Sequence, residues 1–470
     1  MGPDFEEIDS IINARSLAIV GASSGPMKFG TLLTRSQLKM GFDGPVYLVN
    51  PRETEIMGLP VYPSLRSLPE TPDLVYLAVP ASRTPEVLED CAAMRVKGVV
   101  IIASGFGDVG GAGKALERTV VEKARAGGFR VIGPNCFGIY NPRTGLTMLP
   151  GHDFTRTPGE VAFVSQSGGF SVHVPRQAQS LGIGFSAVVS YGNAADVDET
   201  DLVRYFTADP TTSVIAGYIE GTRRGRAFLE ALEDAAGAKT VVMWKVGKGE
   251  SSRRAVVSHT GSLAGSAQVW DSALRQAGVI QASGVDELCD VLLALKHLGR
   301  APGRRLLLSG GGGGLGTYAG DIAEAEGLDV PMLSDETYAE MKKALARAGA
   351  VPGNPLDLGA PLIPLPEFEA ALTTAARHRG TDILVFDMAI NFAYDLAGEP
   401  GLELATDALI KARQGGGQPM VVVLYSRSCD HDDLKFAGLL GRMRWRLLEA
   451  GIPVYPSMPR ALRAIARING

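Results

Sequence analysis

Cysteine is scarce: four residues, at positions 91, 136, 289 and 429 of a 470-residue chain, set too far apart for a CxxC or any paired metal-ligand spacing. That scatter excludes a disulfide framework and reads as reduced thiols in a reducing compartment. Long apolar runs are missing too, since none reaches the ~18 residues that span a bilayer. The first residues, MGPDFEEID, are acidic and lack an apolar signal core, which predicts a cytoplasmic protein. Neither charge sign dominates: a formal charge of -5 and a pI near 5.8 leave no basic footprint, which argues against nucleic acid and anionic membrane as partners. The turn after the first apolar strand, Gly21-Ala22-Ser23-Ser24-Gly25 with Gly30 beyond it, is not GxGxxG, no glycine loop is followed by Lys-Ser or Lys-Thr, and there is no HExxH. A nicotinamide fingerprint at the first strand, Walker loops and zinc peptidase helices are thereby set aside.

Glycine, by contrast, is plentiful, and it gathers where apolar runs end. Three segments open alike. Leu17 to Val20 runs into Gly21-Ala22-Ser23-Ser24, Val161 to Val164 into Ser165-Gln166-Ser167-Gly168-Gly169, and Leu306 to Leu308 into Ser309 and five glycines, Gly310 to Gly314. A short wholly apolar strand, a small-residue turn and a helix make the entry to a parallel βαβ unit. At the near-even spacing of their starts, these entries predict an α/β chain of three doubly wound parallel-sheet domains, at residues 1–148, 149–300 and 301–470, with a linker over HLGRAPGR at 297–304.

Strands of the first domain end in Asn50-Pro51-Arg52, Val79-Pro80, Ser104-Gly105-Phe106 and Gly133-Pro134-Asn135-Cys136. Open α/β sheets bind ligands at that carboxyl edge. The turn Gly21-Ala22-Ser23-Ser24-Gly25, with Gly30 beyond it, offers backbone N–H groups and a helix dipole to a phosphate. A tight turn without ligand is the plainer reading of it alone; with the neighbouring loops it points to a nucleotide-like molecule. Ser165 to Gly169 could cradle a phosphoryl group in the same way, and so could Gly312, Gly313 and Gly314.

One histidine stands out. His259 lies in Ser258-His259-Thr260-Gly261-Ser262-Leu263-Ala264-Gly265, downstream of Lys248, Arg253 and Arg254, and no apolar period ties the stretch to a core. A histidine on a mobile loop suits a phosphate carrier, because neutral imidazole has a free nitrogen that can attack phosphorus. Glu220, ending the strand Val214 to Ile219, could fix the tautomer of such a ring. Taken singly, each has a plainer reading: a loop histidine without a role and a solvated carboxylate. Asp430-His431-Asp432-Asp433 reads as a charged helix start, because adjacent residues cannot all converge on one ion. His152, His173, His297 and His378 have no partners at informative spacing, and no metal site is predicted. Phe170, His173, Tyr191 and Phe106 are candidates for an acyl pocket, with core packing an equal alternative.

The segments GASS at 21–24, LVNP at 48–51, AVP at 78–80, GPNC at 133–136, SQSGG at 165–169, YGNAADVDETDL at 191–202, YIEG at 218–221, SHTGSLAG at 258–265, GGGGGLG at 310–316, NPLDL at 354–358 and AGIPVYPSMPRAL at 450–462 resemble the NDP-forming acyl-CoA synthetase family, relatives of succinyl-CoA synthetase, over nearly the whole chain. The match is to the α-subunit type. The resemblance implies a Rossmann-like CoA-binding domain followed by two flavodoxin-like domains, with His259 the phosphorylated histidine and Glu220 the glutamate that steadies it. It implies phosphate-binding amides at Ser167 to Gly169 and a counterpart loop at Gly312 to Gly316 serving the nucleotide end. Asn135 and Cys136 would lie by the pantetheine thiol. The third loop departs from the family's usual Asn-Ala-Gly-Gly-Pro-Gly. No ATP-grasp region is present, so ATP, ADP and Mg2+ would sit on a separate β subunit, in an α2β2 assembly.

The activity so implied joins a small carboxylic acid to CoA, through an acyl phosphate and a phosphohistidine, with release of ADP and phosphate. A non-catalytic CoA-binding regulator is the alternative, separable by a test for phosphohistidine. A nicotinamide oxidoreductase is disfavoured by the missing fingerprint.

Overall fold

The computed structural model describes residues 3–151, 153–260, 265–345, 349–359, 365–426 and 434–470. The chain divides into two compact units, Met1–Leu288 and Cys289–Gly470. The first holds two sheets and the second holds one.

Seven strands make the first sheet: β1 (Leu17–Val20), β2 (Val46–Val49), β3 (Glu55–Ile56), β4 (Leu59–Tyr62), β5 (Leu74–Leu77), β6 (Gly98–Ile101) and β7 (Arg130–Ile132), in the order β3-β4-β2-β1-β5-β6-β7. Only β3 runs antiparallel to its neighbour. Helices α1 (Pro3–Ile12), α2 (Phe29–Met40), α3 (Thr84–Met94) and α4 (Gly111–Gly127) connect and flank these strands. The central strands LAIV, LVYL and GVVI are buried at every position, as strands covered on both faces must be. The chain goes from β1 outward to β2, then returns to β5 on the other side of β1. The two loops leaving that reversal part, and a crevice opens between them.

The same reversal recurs twice. The second sheet has β8 (Gly138–Tyr140), β9 (Val161–Ser165), β10 (Phe185–Ser190), β11 (Val214–Ile219), β12 (Thr240–Lys245) and β13 (Ile280–Ala282) in the order β13-β12-β11-β9-β10-β8, with β8 antiparallel. Its reversal lies between β9 and β11. Helices α5 (Gly168–Ser180), α6 (Glu199–Ala208), α7 (Gly225–Ala238), α8 (Glu250–Thr260) and α9 (Ala267–Gln276) accompany it. One apolar core joins both sheets of this unit, Leu17, Ile19 and Tyr76 packing in the same cluster as Ile139, Val164 and Val189.

Helix α10 (Val285–Leu298) carries the unit boundary and leads into the third sheet. There β14 (Leu306–Gly310), β15 (Leu356–Asp357), β16 (Ile383–Ala389), β17 (Met420–Tyr425) and β18 (Val454–Tyr455) take the order β15-β14-β16-β17-β18, all parallel, with the reversal between β14 and β16. Helices α11 (Gly313–Ala325), α12 (Asp335–Ala344), α13 (Leu365–Arg377), α14 (Ile390–Gly415, kinked at Gly398), α15 (Leu434–Glu449) and α16 (Met458–Ile468) surround it. Asp290 of α10 is tied to this sheet's helices by a bidentate pair with Arg460 at 2.6 and 2.8 Å, so the chain commits to the second unit before residues 297–304. Three doubly wound sheets are thus present, as the strand patterns predict.

The first crevice depends on two glycines. Gly21 has φ +89°, and a side chain there would meet the Ala78 carbonyl oxygen at 2.6 Å; a Cβ on Gly30 would stand 2.0 Å from the Gly21 carbonyl oxygen. Helix α2 can start against the β1 turn only because both side chains are absent. We predict that Gly30→Ala costs about 1–3 kcal/mol, the range of an overpacked interior, measured by urea unfolding of the whole chain.

Candidate functional site

The residues expected to hold a cofactor line the first sheet's carboxyl edge. Asn50 Nδ2 donates to the Ala22 carbonyl at 2.7 Å and its Oδ1 accepts the Arg52 amide at 2.9 Å, which locks the β1 and β2 loops together. Ser24 and Pro51 are exposed, as are Arg52 and Pro80, whereas Ser23 is buried, its Oγ accepting the Gly25 amide at 3.2 Å. The Ser24 amide donates to a carboxylate oxygen of Glu53 at 3.1 Å, and this contact holds the Glu53 acid below its usual range. An internal carboxylate thus accepts from this turn, which presents a backbone N–H to an anion.

Three of these positions differ from expectation. Ala22, Phe106 and Cys136 bury their side chains in the core. The Cys136 thiol lies 3.4 Å from the Ile101 carbonyl, and burial pushes it up to about 12, so it faces inward as a packing group and not toward a ligand thiol. Gly105, Val79 and Asn135 remain partly exposed at the edge, Asn135 in the left-handed region at φ 59° with its side chain donating to Asn193 Oδ1 at 3.3 Å.

At the second reversal the loop after β9 and the end of β11 meet. Gln166 Oε1 accepts the amides of Glu220 at 2.7 Å and Gly221 at 3.2 Å, and its own amide donates to the Tyr218 carbonyl at 3.2 Å. Its side chain is thus committed to the protein and sets the backbone of Glu220. Ser165 Oγ donates to the Ser167 carbonyl at 2.7 Å, and Ser167 caps α5 by accepting the Phe170 amide at 3.4 Å. Gly168 and Gly169 form the first turn of α5, Gly169 exposed, which leaves helix-end amides open to an oxyanion.

Glu220 is buried, and the Tyr218 hydroxyl donates to its Oε1 at 3.3 Å. Beneath it Lys245 donates to the Glu220 carbonyl at 2.8 Å and to the Val246 carbonyl, and burial followed by repulsion from Lys248 lowers its ammonium to about 8. His259 falls in the last turn of α8, and its side chain lies outside the described residues, as does the whole of residues 261–264. Helix, not loop, runs through Thr260, because Glu250 pairs with Arg254 one turn on at 2.8 Å and the glycine-containing stretch begins only at Gly261.

Sequence reasoning missed a polar network at the same edge. Asn193 Nδ2 donates to Glu117 at 3.0 Å and Asp108 at 3.1 Å, and Glu117 also accepts the Gly107 amide at 2.9 Å and Arg223 at 3.3 Å. Glu117 sits on the buried stripe of α4 with Gly113, Val120 and Ala124, where its spacing looks like any other core position. Asn193, inside YGNAADVDETDL, was legible as motif but not as a hub. Tyr191 is fully buried against Glu199 and Glu220, and Phe170 packs on Tyr218 and Trp244 with ring centroids 4.8 and 4.7 Å apart. Of the aromatic candidates only Phe170 stands half open beside the α5 terminus, with His173 edge-on at 6.4 Å.

Glu199, the first residue of α6 after its Asp198 cap, is 1% exposed with Oε1 unpartnered; burial, then Asp198, pushes its acid up to about 7. The folded chain keeps a proton that the unfolded chain releases near pH ~4.3. Stability is therefore present at low pH and lost as pH rises toward 7, then level. We predict that Glu199→Gln removes about 3 kcal/mol of the stability difference between pH 5 and 8, read from denaturant melts at both values.

In the second unit, Gly312 precedes α11 with no side-chain cap, and Gly313 and Gly314 are exposed in its first turn. Residues 427–433, including the Asp430 to Asp433 cluster and Cys429, lie outside the described residues; among the described residues the cysteines are free and no acidic, histidine or cysteine group forms a metal cluster. No described helix is long and apolar enough to cross a membrane.

With this geometry in hand, comparison with known proteins is informative. Residues 15–142 match the family model "CoA binding domain", and residues 158–295 match "Succinyl-CoA ligase like flavodoxin domain". The α subunit of Pyrococcus furiosus acetate–CoA ligase (ADP-forming) I is 34% identical, over 98% of this chain and 97% of that one. An ADP-forming acetate–CoA ligase I of Archaeoglobus fulgidus is 38% identical over 72% of this chain, which spans about half (49%) of that longer relative. The dinucleotide-forming acetyl-coenzyme A synthetase 1 of Candidatus Korarchaeum cryptofilum, solved with phosphate and ADP, superposes with a TM-score of 0.84 at 31% identity, covering 98% of this chain and 96% of that one. Matched along its whole length by a separate α subunit, the chain belongs to the NDP-forming acyl-CoA synthetase family.

Proposed function

We propose that this chain is the α-type subunit of an acid–thiol ligase that makes acyl-CoA from a carboxylic acid, CoA and ATP, releasing ADP and phosphate. The observation that carries the reading is the Gln166 bracket: one side-chain oxygen holds the amides of Glu220 and Gly221 and so fixes a buried carboxylate beside the α5 terminus, where Ser167 caps only the Phe170 amide. A fixed carboxylate next to an oxyanion cradle is what a phosphohistidine needs, one group to orient the ring and another to take the phosphoryl oxygens.

In this reading His259 attacks the phosphorus of the acyl phosphate, the P–O bond to the acyl group breaks, and the carboxylate leaves; run the other way, phosphohistidine phosphorylates the acid. Glu220 accepts the hydrogen bond of the ring N–H and keeps the other nitrogen nucleophilic. The amides at Ser167, Gly168 and Gly169 hold the transferred phosphoryl group, which asks for positioning more than for covalent chemistry. CoA, when bound at Gly21 to Ser24 and Asn50 to Arg52, supplies the thiolate that takes the acyl group. The domains would be residues 1–148 for CoA, 149–300 for the phosphohistidine and 301–470 for the third fold, with Gly312 to Gly314 a second oxyanion loop. A β subunit with an ATP-grasp domain would hold ATP or ADP with Mg2+ in a cytoplasmic α2β2 assembly, and α8 would carry His259 between the two centres.

Two outcomes test this. Calorimetry on the whole chain should show CoA binding in preference to NAD; tighter NAD binding removes the first-sheet assignment. Incubation with acyl phosphate, or with labelled ATP plus the partner subunit, should give an acid-labile, base-stable phosphoprotein that His259→Ala abolishes while CoA binding persists. Glu220→Gln should slow labelling without preventing it, and the pure chain should make no acyl-CoA from ATP. Wild-type turnover by His259→Ala would sink the carrier role.

A further inference from the structure

The second unit holds a pair of aspartates that the mechanism above does not use. Gly310, last in β14, stands in register between Asp357 on β15 and Asp387 on β16. A glycine between them is required, because a Cβ there would lie 1.7 Å from Asp387 Oδ1. Both carboxylates therefore reach the carboxyl edge at the sheet's reversal, on the wall of a cavity of about 200 Å3 that is also lined by Gly312, Gly313 and Thr317 at the start of α11. The two are not held alike. Asp357 Oδ1 accepts two backbone amides, from Gly312 at 3.1 Å and Gly359 at 2.8 Å. Asp387 is 4% exposed and its Oδ2 has no partner, and the Ser309 hydroxyl, 3% exposed and lining the same cavity, has none either.

The amides of α11 attract an anion, yet two ionised carboxylates beside it would repel one. Like charges crowded in one low-dielectric site resolve the conflict by keeping a proton. Two backbone amides already engage Asp357 Oδ1, whereas Asp387 Oδ2 has no donor to accept from, so Asp387 is the group placed to keep the proton. We propose that Asp357 and Asp387 hold one proton between them and that Asp387, as the acid, donates with Ser309 to an oxyanion of the phosphate class seated at the amino terminus of α11. The proposal rests on the reading of Gly312 to Gly314 as an oxyanion loop. Burial first, and then the charge of Asp357, push the Asp387 acid up to about 7, in the range where the switch would act. Among the described residues Tyr425, at the end of β17, also bears on it, and burial followed by Asp387 raises the Tyr425 hydroxyl, so it too stays neutral.

The sign follows. Below about 7 the acid donates and the oxyanion binds; above it the ionised pair expels the anion. Sulfate is the probe, since its charge is constant between pH ~6 and ~8.5. Calorimetry on the whole wild-type chain should show affinity falling roughly ten-fold per pH unit above the switch. Asp387→Asn, whose amide donates at every pH, should bind sulfate with that dependence removed. The infrared difference between wild type and Asp387→Asn below about 7 should show one carboxylic acid C=O stretch, the band of the Glu199 acid being common to both. An unchanged pH dependence in Asp387→Asn, sulfate binding that needs Mg2+, or a missing acid band overturns the shared proton while leaving the loop reading intact. Absence of sulfate binding at any pH brings down the loop reading and the inference together.

Discussion

The position of β9 between β10 and β11 is the constraint on which the site depends. A parallel sheet buried on both faces must send every strand out at its carboxyl edge, and where successive strands leave on opposite sides their loops separate. At β9 this puts Ser165 to Gly169 on one lip and Glu220 on the other, with the register Ser165–Tyr218 fixing how far each advances. Gln166 then closes the gap by taking both Glu220 and Gly221 amides, so the strand pairing and the carboxylate's place are one and the same geometry. A one-residue slip of β11 would exchange the faces of Tyr218 and Ile219 and carry Glu220 away from its bracket.

Around this frame the unit tolerates an unusual load of buried charge. Lys245 and Glu220 stack at the ends of neighbouring strands, and Glu117 sits inside a helix stripe. Burying such groups is costly unless they are hydrogen-bonded, and backbone meets several of them: Lys245 by two carbonyls, Glu117 by the Gly107 amide, Gln166 by three backbone groups, while the Glu220 carboxylate accepts from the Tyr218 hydroxyl. Backbone partners cannot rotate away. Such a network holds its shape, which is what preorganisation at the proposed phosphoryl-transfer site requires. Glu199 has one oxygen unmet, and burial answers by keeping it protonated to about 7.

Much of the fold was legible, because buried parallel strands are short unbroken apolar runs and each is followed by its glycine turn. The three reversals and the residues on their lips follow from Leu17, Val161 and Leu306 opening their sheets. Side-chain direction was not legible. GPNC looks like a reactive cysteine in a loop, yet Cys136 turns inward because the Ile101 carbonyl and the core take it. Glu117, in a helix and 76 and 106 residues along the chain from Asn193 and Arg223, gave no local sign that the two would converge on it. The helix through His259 was hidden because serine and histidine carry weak propensity, and the Glu250–Arg254 pair tips the balance.

Helix rather than loop through Thr260 bears on the proposed carrier role. A flexible loop would lose backbone entropy each time it docked, whereas a formed helix moves as a body. Beyond the helix Gly265 stands in the left-handed region at φ 69°. At the other end Gly247, also left-handed at φ 78°, separates the helix from β12. Rigid segment and permissive glycines are therefore encoded as separate stretches, and in the proposed carrier role the reach would follow from helix length and from the glycines at 247 and 265.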